Sequence, residues 1–529
     1  MDEPAAPAKA AGLPPVLWAG LALVAVLRAL PWMATFRGTA SGDALPPVGY
    51  NPKDWLAYVA FIRDSAAGHF FLTNPFTTAP QDGRYILLLQ VTLGRVVAWT
   101  GIDAFTVLEL SRVPLLALFL LALWRVTGVV LNDRRERTLA CWLVLFSGGF
   151  EVIVDALSAR LPAQIQWQVD QDLWHLQGWN TFAAFYNPLW VAALALTLVT
   201  LVPLLRPGGP RGSVDAATLG GGLLLLAFTH PYSVFVVLAV AVARPLLAWI
   251  FGARAAGLGV TLAGLAPALV VLALVIRWQS GDAVYRATSG NAFGPQALSV
   301  TWYPVTYGAV ALLAARGWQR WLAEAHPARL GLAAWTLAVV FLHGSTVLNG
   351  YHFVLYLHIP VCIVAAPALG RAFDWLRGRS LGKLGAFGLC VLLFQAPLPL
   401  TLKCIHESRR EIVEPGGMQV VQTLANLPPG NVLAPAEFGN LVPAHGPHRV
   451  YVGQWFLTPD FERRADEAFE AVSGQAKFDD LIRLVDGEHI RYLVTTTHVA
   501  PQLAALLGTR VDATLPVGEF AVLVLDSGT

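Results

Sequence analysis

Charge is scarce in this chain: only 13% of its 529 residues are Asp, Glu, Lys or Arg, against 56% hydrophobic ones. Soluble globular domains carry about 25% charged residues, so an ordinary soluble globule is excluded. With 36 basic and 34 acidic residues the net charge is +2, which leaves no basic excess to hold nucleic acid; the charges bear mainly on membrane topology. Cysteine is sparse too. The four residues Cys141, Cys362, Cys390 and Cys404 lie in or beside apolar runs and form no CxxC pair, which excludes a disulfide framework and a thiolate metal motif. Neither a GxGxxG nor a P-loop is present, so a nucleotide site has no support.

Apolar runs are what the sequence has in plenty. A membrane span needs roughly 20 of them in a row, and the chain offers about eleven such stretches, which reads as a polytopic α-helical membrane protein. The first, Val16 to Phe36, contains Arg28 and Pro31 and lacks a small-residue cleavage site, so it is expected to be a retained span. The others are Phe105 to Leu131, Leu139 to Ala156, Leu189 to Leu205, Leu219 to Thr229, Ser233 to Ile250, Leu258 to Ile276, a weaker one before RGWQRWLAEAHPAR, Ala333 to His343, Phe353 to Leu369 and Leu384 to Leu400. The basic segments DRRER, RPGGPRG and RAFDWLRGRSLGK then fall on one side, the cytoplasmic one by the positive-inside rule. Placing DRRER inside allows one crossing before it. Ile86 to Trp99, short and carrying Gln90, Gly94 and Arg95, is therefore expected to lie in the interface rather than to cross.

Polar chemistry gathers in the loops of the opposite, outer side. The loop spanning residues 37–104 opens like a helix, with Asn51 as N-cap, Pro52 at the first position and Asp54 at the third, where a carboxylate meets free amide donors. Tyr58 follows on the same face, while Trp55, Val59, Phe61 and Ile62 suit burial in a headgroup layer. Asp54 is either a helix cap or a carboxylate held beside a phenol for chemistry. Asn74, Asp82 and Arg84 complete this loop's polar set. A second stretch, Gln164 to Asn187, holds Asp170, Asp172, Trp174, His175 and Asn180 with two further tryptophans. Indole faces beside acids and amides suit a sugar site; an interfacial tryptophan belt is the other reading. His230-Pro231-Tyr232 is a proline-broken turn or a pair of ligand-binding rings. His343, Tyr351, His352, Tyr356 and His358 mark another outer end, and the six-residue step from His352 to His358 does not suit a zinc helix. Arg277 and Arg286, in a later outer loop, are either arginines that clamp phosphate or, as is commoner, surface arginines without a partner.

From about Lys403 the composition changes. NVLAPAEFGNLVPAHGPHRVYVGQWF, HIRYLVTTTHV and FAVLVLD read as short buried strands, with charged helical sequence from Pro459 to Gly487 between them. The chain is expected to divide into a membrane part, 1–402, and a small C-terminal α/β extracytoplasmic domain, 403–529.

An outer loop with an acid and a following tyrosine (Asp54, Tyr58), the NPFT segment Asn74 to Thr77, an amphipathic helix and then a span containing Arg112 together resemble the GT-C superfamily of polytopic glycosyltransferases. In plan the chain is similar to bacterial polyprenyl-phosphate-sugar mannosyl and aminoarabinose transferases; TFAAFYNP, HPY and the C-terminal phrase extend the likeness. The resemblance implies a bacterial inner-membrane enzyme with its catalytic loops outside. It would take a sugar from a polyprenyl-phosphate-linked donor in the lipid and pass it to a glycan, lipid or protein acceptor. Asp54 would be the base or, with Asp172, a ligand of a divalent cation (Mg or Mn), with Asp170 or Asp172 as the later acid. Tyr58, Asn74, Trp174, His175, Asn180, His230, Tyr232, Arg286 and His352 would bind substrate. Where many relatives have an acidic pair, this chain has Pro52-Lys53 before Asp54. A transporter or flippase would place ionisable groups inside its spans, which are nearly free of them here. An inactive scaffold is the third reading.

Overall fold

The computed structural model describes residues 12–38, 52–150, 157, 160, 162, 181–253, 256–289, 303–323, 328–345, 348, 350–410 and 415–526. Among the described residues eight helices are long and apolar enough to cross a membrane: Pro15–Met33, Ala104–Val130, Pro188–Leu205, Gly212–Thr229, Tyr232–Ile250, Leu258–Gln279, His352–Arg377 and Gly382–His406. Of the other three expected spans, the weaker one falls in the helix Tyr303–Ala323 and Ala333 to His343 in Arg329–His343, while Leu139 to Ala156 shares only residues 139–146 with the helix Arg134–Phe146 and its end past residue 150 lies outside the described residues. These helices are shorter or less apolar than the eight. Ala104–Val130 packs along Pro188–Leu205, Gly212–Thr229 along Leu258–Gln279, and Tyr303–Ala323 along His358–Arg377. Their inward side chains form one continuous apolar core.

The two ends of this bundle differ in chemistry. One is rich in arginine, with Arg135 paired to Asp374 at 2.8 Å, Arg206 to Asp215 at 2.6 Å, and Arg244 donating to the Ala256 carbonyl. The other end collects the first loop, the Asn187 cap and the buried rings of His230, His343 and His358.

In the first loop the helix Pro52–Ala66 crosses the helix Leu88–Thr100 at Gly94, where a Cβ would come within 2.5 Å of the Ser65 Cβ and 2.7 Å of the Ile62 carbonyl. Only glycine allows that approach. Neither helix is among the long apolar ones. Trp55, Val59, Phe61 and Ile62 are each no more than 3% exposed, packed with Val91 and Leu108 and with Val421, Phe438 and Leu441 from the C-terminal part of the chain. The face expected to sit among lipid headgroups is thus covered by protein, because the helix Ala436–His445 folds back onto it.

That C-terminal part is built on a five-stranded mixed sheet: β1 (Asn431–Leu433), β2 (Arg449–Val450), β3 (Ile490–Thr496), β4 (Val511–Val517) and β5 (Phe520–Leu525), in the order β2-β1-β3-β5-β4. β1 pairs in parallel with β2 and β3, while β5 runs antiparallel to β3 and β4. Side chains alternate between the two faces as the strand period of two demands. Val432, Tyr492, Val494 and Val522 point to the first-loop side, and Leu433, Leu493, Ala521 and Leu523 to the helices Phe461–Val472, Phe478–Gly487 and Ala500–Leu507 on the far side. The phrase expected as strand at 431–456 is strand only at NVL and RV, since Ala436–His445 is helical.

Bonds to main-chain carbonyls clamp the C-terminal part to the NPFT segment and the residues just after it. Val450 N–H donates to the Pro75 carbonyl at 2.9 Å, Thr458 Oγ1 to Phe76 O at 2.9 Å, and Arg449 to Ala79 O at 2.6 Å. Asn74 is fully buried in this clamp, its Nδ2 donating to Leu457 O at 2.6 Å and its Oδ1 accepting from Phe76 N at 3.0 Å. Asn74→Ala is expected to cost about 1–3 kcal/mol by leaving both partners unmet. A lower melting temperature with faster proteolysis of 415–526 checks it.

Candidate functional site

Pro52 pre-sets the first helical turn, and Asp54 stands in that turn, where the free amides and the helix dipole favour a negative charge. Its carboxylate Oδ1 accepts from Gln454 Nε2 at 3.1 Å, across 400 residues of sequence. Burial pushes the Asp54 carboxyl up to about 7, with the Gln454 amide opposing the rise. One turn on, Tyr58 OH accepts from Asn187 Nδ2 at 3.1 Å. Burial, and then the neighbouring Asp54 carboxylate, hold that phenol far above its usual range, so it stays protonated. Asn187 also caps Pro188–Leu205 through its Oδ1. The site therefore joins the first loop, a span end and the C-terminal sheet.

Beneath it Arg112 takes both first-loop and later segments. Its Nη1 donates to Phe185 O at 2.5 Å and Tyr186 O at 2.7 Å, its Nη2 to Glu109 at 2.8 Å, and its guanidinium lies 5.5 Å from the Trp55 ring centre. Arg28, 2% exposed, lies over the rings of Phe182 and Tyr186 at 3.6 and 3.3 Å. Two buried arginines thus fix TFAAFYN, a cation–π and carbonyl grip of the kind arginine makes best.

A second group of the expected binding residues converges at the same end of the bundle. Tyr232 stacks on His352 at 3.9 Å, His230 lies 5.5 Å from Tyr232, and His230 Nδ1 is 3.0 Å from Ser233 Oγ. Arg286 sits apart from both groups, exposed, donating to Ser280 O at 2.5 Å. Asp82 and Arg84 pair with each other at 2.8 Å and tie the loop to Trp278 and Asp282. Asn74 belongs to the clamp described above. Asp170, Asp172, Trp174, His175 and Asn180 lie outside the described residues, as does the Asn51 cap. Gln454 and Asn187 were not singled out by the sequence; Gln454 is the lone amide in the apolar phrase VYVGQWF, a signal that only its contact with Asp54 makes legible.

Among the described residues no three His, Cys, Asp or Glu side chains converge on one point. The donor set at Asp54, one carboxylate with a phenol and an amide, suits a proton acceptor better than a closed cation cage.

The helical bundle with its first loop under a C-terminal α/β unit is a fold that this chain shares with solved membrane-protein structures. It superposes on ArnT from Cupriavidus metallidurans in the apo state with a TM-score of 0.52 and 15% identity, covering 97% of this chain and 98% of that one. The archaeal oligosaccharyltransferase AglB from Archaeoglobus fulgidus, in complex with an inhibitory peptide and a dolichol-phosphate, matches with a TM-score of 0.52 and 12% identity over 97% of this chain and 75% of that one. The Archaeoglobus fulgidus oligosaccharyltransferase in complex with Zn and sulfate matches at 0.51 and 13%, over 96% and 73%. No family model matches the sequence, and no curated protein sequence matches it.

Proposed function

We propose that this protein is a membrane glycosyltransferase that moves a sugar from a polyprenyl-phosphate-linked donor to a glycan, lipid or protein acceptor. The observation that carries the reading is the Asp54 carboxyl, held near 7 by burial at the junction of first loop and C-terminal sheet. A base poised at the working pH takes a proton most effectively. In the reaction Asp54 accepts the proton of the acceptor hydroxyl as its oxygen bonds to the anomeric carbon. The bond from that carbon to the phosphate oxygen breaks, and its electron pair leaves with polyprenyl phosphate. One displacement inverts the anomeric centre. The protonated Tyr58 is an O–H donor beside the carboxylate, and the His230, Tyr232 and His352 rings offer faces for a sugar. The fold relative that binds a dolichol-phosphate supports a lipid-phosphate donor. Asp170 or Asp172 would supply the later acid, with Trp174, His175, Asn180 and Arg286 as further substrate contacts. As the other use of the same carboxylate, Asp54 and Asp172 would be the residues to hold a divalent cation, Mg or Mn, which would supply charge for the departing phosphate; a fold relative is solved with Zn.

The arginine-rich end of the bundle would face the cytoplasm of a bacterial inner membrane, which puts Asp54 and the C-terminal unit, 403–529, outside. The test is purified protein in native lipid with a panel of polyprenyl-phosphate sugars and acceptors, with Mg or Mn and without. Acceptor-dependent release of free polyprenyl phosphate is expected; its absence across the panel would sink the reading. A rise in melting temperature on adding the cation, lost in Asp54→Asn, separates cation ligation from proton transfer.

A further inference from the structure

Gln454 is 0% exposed and is brought to Asp54 by a close backbone crossing. The turn that bears it, residues 451–454, runs against the helix Ala436–His445 at Gly439, where a Cβ would fall 1.9 Å from the Val452 carbonyl, and Gly453 in turn leaves room for Phe76. Glycines at 439 and 453 allow the turn to reach under the first-loop helix. Gly453 N–H donates to Thr458 Oγ1 at 3.1 Å, and Thr458 N–H and Leu457 N–H both close on the Gln454 carbonyl at 2.9 Å, so the turn is stiff. Its amide is then presented to Asp54 by a rigid support rather than by a loose loop. A neutral amide is also the partner that orients a carboxylate without supplying a counter-charge, which a lysine or arginine here would do.

We propose that Gln454 is a positioning residue: from the C-terminal sheet unit it fixes the Asp54 side chain, and with it the first turn of the helix Pro52–Ala66, so that the first-loop site is complete only when that unit is docked on it. The inference rests on the reading of Asp54 as the reacting carboxylate, and goes beyond it by making the C-terminal unit part of the site. The oxygen of the same amide, Gln454 Oε1, is buried with no partner among the described residues. When Asp54 carries a proton, rotation of the amide lets Oε1 accept it, so the contact survives both protonation states.

Full-length protein in detergent carries the test, read by amide hydrogen exchange over residues 53–58 and by the transfer assay. Gln454→Leu removes the amide; Gln454→Glu keeps its shape but replaces the donor with a second carboxyl. Both are expected to raise exchange in the first turn about tenfold, since a hydrogen bond to a charged group is worth at least that much in the opening equilibrium. In an Asp54→Ala background neither is expected to add to the exchange, because the pair acts as one unit. Where transfer is measured, kcat falls about tenfold with the KM for the lipid donor unchanged, as for a lost orienting contact. A Gln454→Leu protein whose residues 53–58 exchange as in wild type overturns the inference, as does a tenfold rise that persists in the Asp54→Ala background. Should Gln454→Leu not fold, the isosteric Gln454→Glu is read alone by the same two criteria. Wild-type protein that transfers no sugar would count against the glycosyltransferase reading and leave the exchange result standing.

Discussion

Asp54→Asn is expected to lose transfer by about 10²- to 10⁴-fold, the usual contribution of a positioned base, while the folded protein becomes more stable. The two effects share one cause. Burial raises the Asp54 carboxyl from 3.8 to about 7, so the folded state holds a proton that the unfolded chain has already released across that window. With the folded state binding more protons, stability falls as pH rises from about 4 to about 7 and is level above it. At neutral pH the buried carboxylate therefore costs roughly 2 to 4 kcal/mol, the higher figure being the full shift converted at about 1.4 kcal/mol per pH unit and the lower allowing for partial exposure. Asparagine keeps the shape and accepts from Gln454 without that cost. Thermal melts between pH 4 and 8 should show wild type losing stability through the window and Asp54→Asn losing less. A variant that melts with the wild-type slope would return Asp54 to the status of a helix cap.

On the proposed reading of Asp54 as the base, the ionised form is the active one, so the transfer rate is expected to rise with pH through about 7 in wild type, as a pH–rate profile would check.

How much of this was legible in the residues varies with the range of the interaction. Spans of apolar sequence declare themselves, because the bilayer reads length and polarity directly; the weaker signal came from the stretch that forms the helix Tyr303–Ala323, whose second half carries Arg316, Gln319 and Arg320. Asp54 was legible as an acid at a helix start between apolar runs. Its partner was not, since no local pattern connects residue 54 with residue 454. The apolar face of Trp55, Val59, Phe61 and Ile62 has the pattern of an interfacial helix, and the pattern is right about burial; only the later chain decides that protein rather than lipid covers it. β4 escaped the sequence reading because Asp512, Thr514 and Pro516 interrupt its apolar residues. The sheet order explains how that is tolerated, since β4 is an edge strand and proline is confined to edges. Asn74 was expected among the substrate-binding residues, and its place in the clamp was not legible because it depends on the Leu457 carbonyl, again hundreds of residues away.

Arg112→Ala should be the most destabilising single change outside the apolar core, at about 3–5 kcal/mol. The side chains of Arg112 and Glu109 are only 6% and 11% exposed, and their contact at 2.8 Å lies one turn apart on a helix long and apolar enough to span. Removing the guanidinium leaves a carboxylate in apolar surroundings and two carbonyls, of Phe185 and Tyr186, without their donor. It also releases the turn that ends at Asn187, and through Asn187 the contact with Tyr58. Arg112→Lys is expected to recover little, because an ammonium cannot reach the carboxylate and both carbonyls in one fork. Replacing both partners, Arg112→Met with Glu109→Leu, removes the stranded charge and should melt well above Arg112→Ala, by about the cost of burying a lone carboxylate. If the double variant melts no higher than the single one, the pair acts through the carbonyl grip on TFAAFYN alone, and the ion pair contributes nothing that packing does not replace.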